Sequence, residues 1–140
     1  MECHQKVFLA HSIFATSLIT LEAKMTNETR HRVQNGTLWL ADQPIHLPHP
    51  VKATLQHKDR LLILVDPAPD VIFNRNVFAL SIHGELLWQI EESPHGTQVD
   101  KPYVNLYCDK NGTVIAGNWN GVSYSINLLN GTVSVAAFDK

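Results

Sequence analysis

Five consecutive apolar residues, Leu61-Leu62-Ile63-Leu64-Val65, run without a polar alternate between Arg60 and Asp66. A β-strand turns successive side chains to opposite faces. A strand of this composition therefore has to be covered on both faces, and the chain must supply material for each side. Asp66-Pro67-Ala68-Pro69-Asp70 closes the strand with a rigid loop, because proline fixes its backbone and donates no hydrogen bond.

The rest of the chain after residue 36 reads as short β-runs divided by turn residues. Thr37-Leu38-Trp39-Leu40 follows Asn35-Gly36. Pro44, Pro48 and Pro50 make Ile45 to His49 a stiff extended connector. Val51 to His57 then leads into the apolar run. Phe78, Leu80 and Ile82 alternate inward, His83-Gly84 turns the chain, and Leu86, Trp88 and Ile90 alternate back. Glu91 to Lys101 is a polar loop. Tyr103 to Cys108, Val114 to Gly117, Val122 to Ile126 and Val133 to Ala137 follow as strands. Lys110-Asn111-Gly112, Asn118-Trp119-Asn120-Gly121 and Asn130-Gly131 form the turns between them. Hairpins in succession, with loops of two to five residues, specify an antiparallel meander.

Residues 7 to 25 carry a different pattern. Val7, Ala10, Phe14, Leu18, Leu21 and Met25 recur at spacings of three and four, opposite Ser12, Thr16, Thr20 and Lys24. That periodicity predicts an amphipathic helix. The expected architecture is a mainly β (α+β) single domain over 1–140. Residues 1–25 form an N-terminal helical appendage and 36–140 an antiparallel β-meander, a sheet or partly open barrel. The helix is the only element long enough to cover the far face of Leu61–Val65. Met25 offers an alternative start, which would make the first 24 residues optional.

A repeat runs through the β region. Phe78 lies 46 residues before Tyr124, and Gly84 lies 47 before Gly131. Asn74-Arg75-Asn76 recurs as Asn118-Trp119-Asn120. A period near 47 belongs to propeller blades, and Val77-Phe78-Ala79-Leu80 with Gly84-Glu85-Leu86-Leu87-Trp88-Gln89-Ile90 resembles the outer hairpin of a quinoprotein-type blade. A closed propeller takes at least four blades, more than 140 residues provide. Asp66-Pro67, Phe73 to Phe78, Leu86 to Glu91 and Ala116 to Gly121 together look like a family of small bacterial all-β proteins. These are similar to products of mobile gene cassettes (integrons) and of toxin-immunity neighbourhoods. The resemblance implies a fold and no catalytic residues, while small size, mild acidity and the missing catalytic motif fit a protein-binding module of the immunity type.

Charge narrows the function classes. Lys plus Arg total 11 against 13 Asp plus Glu, a net of -2. Nucleic-acid binders concentrate positive charge, so nucleic acid is not an expected partner. The longest apolar-rich uncharged stretch, residues 7 to 21, falls short of the roughly 20 residues of a bilayer span, so no membrane partner is expected. Cys3 and Cys108 are read as free thiols in a reducing cytoplasm. Four Asn-x-Thr triplets, at Asn27, Asn35, Asn111 and Asn130, are read as turns.

No metal or other cofactor is expected. His46, His49 and His57 are the nearest approach to a ligand set, but proline interrupts their spacing and no cysteine is near in sequence. Glu91, Glu92, His95 and Asp100 share one loop and could hold an acid and a base, yet no nucleophile elbow or phosphate loop accompanies them. The expected function is a non-catalytic protein-binding module, pairing with another protein or with itself as a homodimer. Its binding residues would be Trp119, Arg75, Asn74, Asn76, Asn118 and Asn120, since Arg and Trp are enriched in binding hot spots. The alternatives are a small-ligand or carbohydrate binder using an exposed Trp119, and an enzyme.

Overall fold

The computed structural model describes residues 3–6 and 30–138, which form twelve strands in three antiparallel sheets. The predicted helix over residues 7–25 lies outside the described residues.

The central sheet has the order β1-β5-β6-β7-β8, built from β1 (Cys3–Lys6), β5 (Val51–His57), β6 (Arg60–Val65), β7 (Val77–Ser81) and β8 (Leu86–Gln89). Apart from β1, each strand pairs with the next in the chain. A second meander supplies the four-stranded sheet: β9 (Tyr103–Cys108), β10 (Val114–Asn118), β11 (Val122–Ile126) and β12 (Val133–Phe138). The small sheet is β2 (His31–Gln34), β3 (Thr37–Leu40) and β4 (Gln43–Ile45).

The apolar run is the middle of this stack. Leu61 to Val65 are all 1% exposed or less. Leu62 and Leu64 face the four-stranded sheet, where they join Leu55, Val77, Ala79, Trp88 and Ile90 against Tyr103, Leu106, Tyr124 and Ile126. Leu61, Ile63 and Val65 face the other way, with Phe78 and Leu80, onto Leu38 and Leu40 of the small sheet. Each such fully buried side chain contributes about 2 kcal/mol of transfer free energy. The expectation that both faces are covered holds. Among the described residues, the second layer is the β2–β4 sheet.

That small sheet begins at a turn the sequence marks. Asn35 and Gly36 take φ of 53° and 78°, the left-handed pair that a two-residue hairpin requires. The following turn, Ala41-Asp42, adopts φ of 49° and 66° with no glycine to ease it. An ion pair from Arg32 of β2 to Asp42 at 3.1 Å ties the first strand of the sheet to this turn. Pro44 lies opposite Trp39 and Ile45 opposite Leu38, so residues 43–45 form a paired strand that takes in the first residue of the connector expected over Ile45 to His49. Proline is tolerated because β4 is an edge strand whose outer side needs no donor.

The repeat has a structural meaning. The strands β7 and β11 are each the third of four in their meander, and Gly84 and Gly131 sit in the turns after them, at φ of 87° and 81°. Both glycines are also close approaches. A Cβ on Gly131 would stand 2.6 Å from the Trp88 ring, and one on Gly84 would press on Ile45 and Leu40 at 3.2 Å. Leu86, expected to point inward, is 61% exposed at the sheet edge, while Trp88 and Ile90 are buried.

Candidate functional site

Three connections gather at one end of the sheets: residues 66–76 between β6 and β7, residues 90–102 between β8 and β9, and residues 119–121 between β10 and β11. The six sequence-predicted site residues all lie on or beside these connections. Four of them act as clamps. The Asn74 amide donates to the Val99 carbonyl at 2.7 Å and accepts from the Lys101 N–H at 2.8 Å. Asn76, 1% exposed, donates to the carbonyls of Val65 and Tyr103 at 3.1 and 2.8 Å and accepts from the Tyr103 N–H at 2.8 Å. One side chain thereby ties the central sheet to the first strand of the next.

The second asparagine pair holds the same loop from the other side. Asn118 donates to the Lys101 carbonyl at 2.9 Å and accepts from the Asn120 N–H. The Asn120 amide reaches Ser93 Oγ at 2.6 Å and the His95 carbonyl at 3.1 Å, while its oxygen accepts from the Val122 N–H. Arg75 closes the end of β8, its Nε donating to the Ile90 carbonyl at 2.8 Å and its Nη2 to the Gln89 carbonyl at 3.2 Å. Trp119 differs from all five. Its backbone N–H is fixed to the Pro102 carbonyl at 3.0 Å, but the residue is 68% exposed.

Beneath the loop lies a buried hydroxyl network. Tyr124, fully buried, shares hydrogen bonds with Ser93 Oγ at 2.7 Å and His95 Nδ1 at 2.9 Å. The Tyr103 hydroxyl donates to the Glu91 carbonyl at 2.7 Å, its ring edge-on to Tyr124. Burial, reinforced by neighbouring Tyr124 and Glu91, pushes the Tyr103 phenol far above its ordinary range, so it remains a neutral donor. These groups satisfy one another under the loop, with Tyr124 shut off from solvent.

The four residues weighed as an acid and base are engaged separately. Glu91 Oε1 accepts from the Val133 N–H at 2.8 Å, His95 packs between Tyr124 and Phe138, and Glu92 and Asp100 stand in solvent. His46 and His49 border a shallow depression of about 420 Å³ on the small sheet. His57 belongs to β5, and among the described residues no three His, Cys, Asp or Glu side chains are grouped to hold a metal.

Sequence reasoning missed two features of this end. Lys101 is 8% exposed, its Nζ donating to the His95 carbonyl at 3.1 Å. Ile72 and Val99 stand out from the neighbouring connections, 57% and 71% exposed. Single apolar residues in polar loops give no local signal of their surroundings.

The thiol expectation is corrected as well: Cys108 is disulfide-bonded, and no described cysteine is free. No helix among the described residues is long and apolar enough to cross a membrane.

No curated protein and no solved structure matches the chain. The model of a domain of unknown function, DUF7957, matches residues 28–138, which spans all three sheets apart from β1. The chain belongs to the DUF7957 family.

Proposed function

We propose that the loop end is a recognition surface for another protein, that the chain is a non-catalytic binding module, and that Trp119 is its anchor. The observation carrying this reading is a large apolar ring, 68% exposed, on a turn whose backbone is held by Asn118, Asn120 and Pro102. An exposed Trp on a rigid support loses little entropy on binding, which is how interface anchors gain affinity. A carbohydrate reading is less well supported. It needs free asparagine amides for sugar hydroxyls, and all four asparagines are engaged with the protein itself.

An immunity-type role, encoded in a mobile gene cassette, is the specific form this proposal takes. Self-association belongs to it too. The outer edge strand β12 is exposed from Ser134 to Phe138 and carries no charge, the kind of edge that pairs with another strand. Sedimentation showing only monomer at high concentration removes the homodimer. A cytoplasmic setting is tested by the disulfide. Disulfides are rare in a reducing cytoplasm, so the bond at Cys108 counts against that setting, and only mass spectrometry of unreduced protein from its native cells showing a free Cys108 thiol would restore it.

Trp119→Ala tests the central reading. Stability should stay within about 0.5 kcal/mol, as for exposed positions generally. Affinity for a partner captured by pull-down should fall at least about tenfold. A destabilised variant that binds normally overturns the proposal.

A further inference from the structure

Ile72, Val99 and Trp119 project from three segments that are bonded to one another. Asn74, two residues beyond Ile72, donates to the Val99 carbonyl, and the Trp119 N–H donates to Pro102, three residues beyond Val99. Exposed apolar side chains on adjoining segments mark an interaction surface more strongly than scattered ones do.

The charge on those connections is predominantly negative. The connections 66–76, 90–102 and 119–121 carry five carboxylates, Asp66, Asp70, Glu91, Glu92 and Asp100, against two cations, Arg75 and Lys101. That is a net of -3 in a chain whose whole net charge is -2, so the remainder is near +1. All five carboxylate residues are exposed, and among the described residues none is in an ion pair. Both cations are already engaged with carbonyls, Arg75 at the end of β8 and Lys101 under the loop. Neither cation is paired with a carboxylate, and the connections that carry Ile72, Val99 and Trp119 keep a net charge of -3.

Resting on the reading of this end as a recognition surface, we infer that its partner is a basic protein segment. An apolar side chain would sit among Ile72, Val99 and Trp119, with Lys or Arg facing Asp70, Glu92 and Asp100. Arginine suits the site further because a guanidinium stacks on an indole face. Opposite potentials across an interface speed encounter and exclude wrong partners. The same field repels nucleic-acid phosphates and anionic lipid surfaces.

The test is selection of random displayed peptides, about 12 residues long, on the full chain, followed by titration of synthetic copies of those enriched. The expected peptides combine Lys or Arg with an aromatic or leucine. Their binding should weaken about fivefold or more between about 50 and 300 mM salt. Asp70→Asn combined with Asp100→Asn should weaken binding about threefold to tenfold and flatten the salt dependence. Trp119→Ala should weaken it at least about tenfold. Neutral or acidic peptides that are still lost on Trp119→Ala overturn the basic partner and leave the recognition surface standing. Peptides indifferent to Trp119→Ala overturn both, and a library that yields no binder overturns the inference.

Discussion

The two successive meanders share a repeat but not a pattern of burial. In the first, β7 runs Val77-Phe78-Ala79-Leu80, all apolar and all buried, before ending at the half-buried Ser81. In the second, β11 reads Val122-Ser123-Tyr124-Ser125-Ile126, with Val122, Tyr124 and Ile126 turned to the core and serines on the other face. The fourth strands differ again: β8 buries Trp88, whereas β12 leaves five of its six residues exposed. One hairpin repeat thus serves a third strand that is apolar on both faces and a third strand with its apolar side chains on one. The strand's residue pattern reports how many layers lie against it, and the turn spacing reports the topology.

Charge placed in each meander should expose this difference most strongly. Ile63→Asp puts a carboxylate between the central and small sheets with no partner, a change costing several kcal/mol. Ser134→Asp, on exposed β12, should change stability by no more than about 0.5 kcal/mol. Urea denaturation of both variants checks the pair, and equal midpoints would sink the layered assignment.

Asn76→Ala tests the joint between the meanders. It leaves the buried Tyr103 N–H and the Val65 carbonyl short of a partner, at about 1–3 kcal/mol for each group so stranded. Asn74→Ala, less buried, should cost less. A reversed order would show that the loop, not the sheet contact, carries the stability.

The smallest effect is that of pH. His57 is 4% exposed, and burial, followed by the charge of Lys58, holds its pKa below 6.5. As pH falls, the unfolded chain binds this proton before the folded one does. The contribution of His57 is therefore complete above about pH 7 and declines as pH drops through 6.5. In His57→Gln the fall in urea midpoint between about pH 7 and pH 5 should be shallower. An unchanged slope would assign it to other groups.

How much of this was legible follows from where each signal resides. Asn35-Gly36, Asn111-Gly112 and Asn130-Gly131 announce their turns because the left-handed backbone is a local requirement. Ala41-Asp42 adopts it without glycine and carries no such signal, so the return strand Gln43–Ile45 is not legible in the sequence. The need for two layers on Leu61–Val65 was legible from composition. The identity of the far layer was not, since it depends on contacts between residues such as Leu38 and Ile63 that are distant in the chain. The asparagines at the loop end are legible through their repetition, but their bonding partners are not. Asn76 holds Tyr103, 27 residues away, and no local pattern encodes such a bond.

The position of β6 has a kinetic consequence for the amide protons of the molecule. Its backbone is bonded to β5 on one side and β7 on the other, with a protein layer above and below. No local opening can admit water to those amides without parting two sheets. Their deuterium uptake should therefore proceed only through global unfolding, while amides on the outer edge of β12 exchange by fraying. The exchange rates of Leu62 and Ile63 would then read out the stability of the whole fold in native buffer, with no denaturant added.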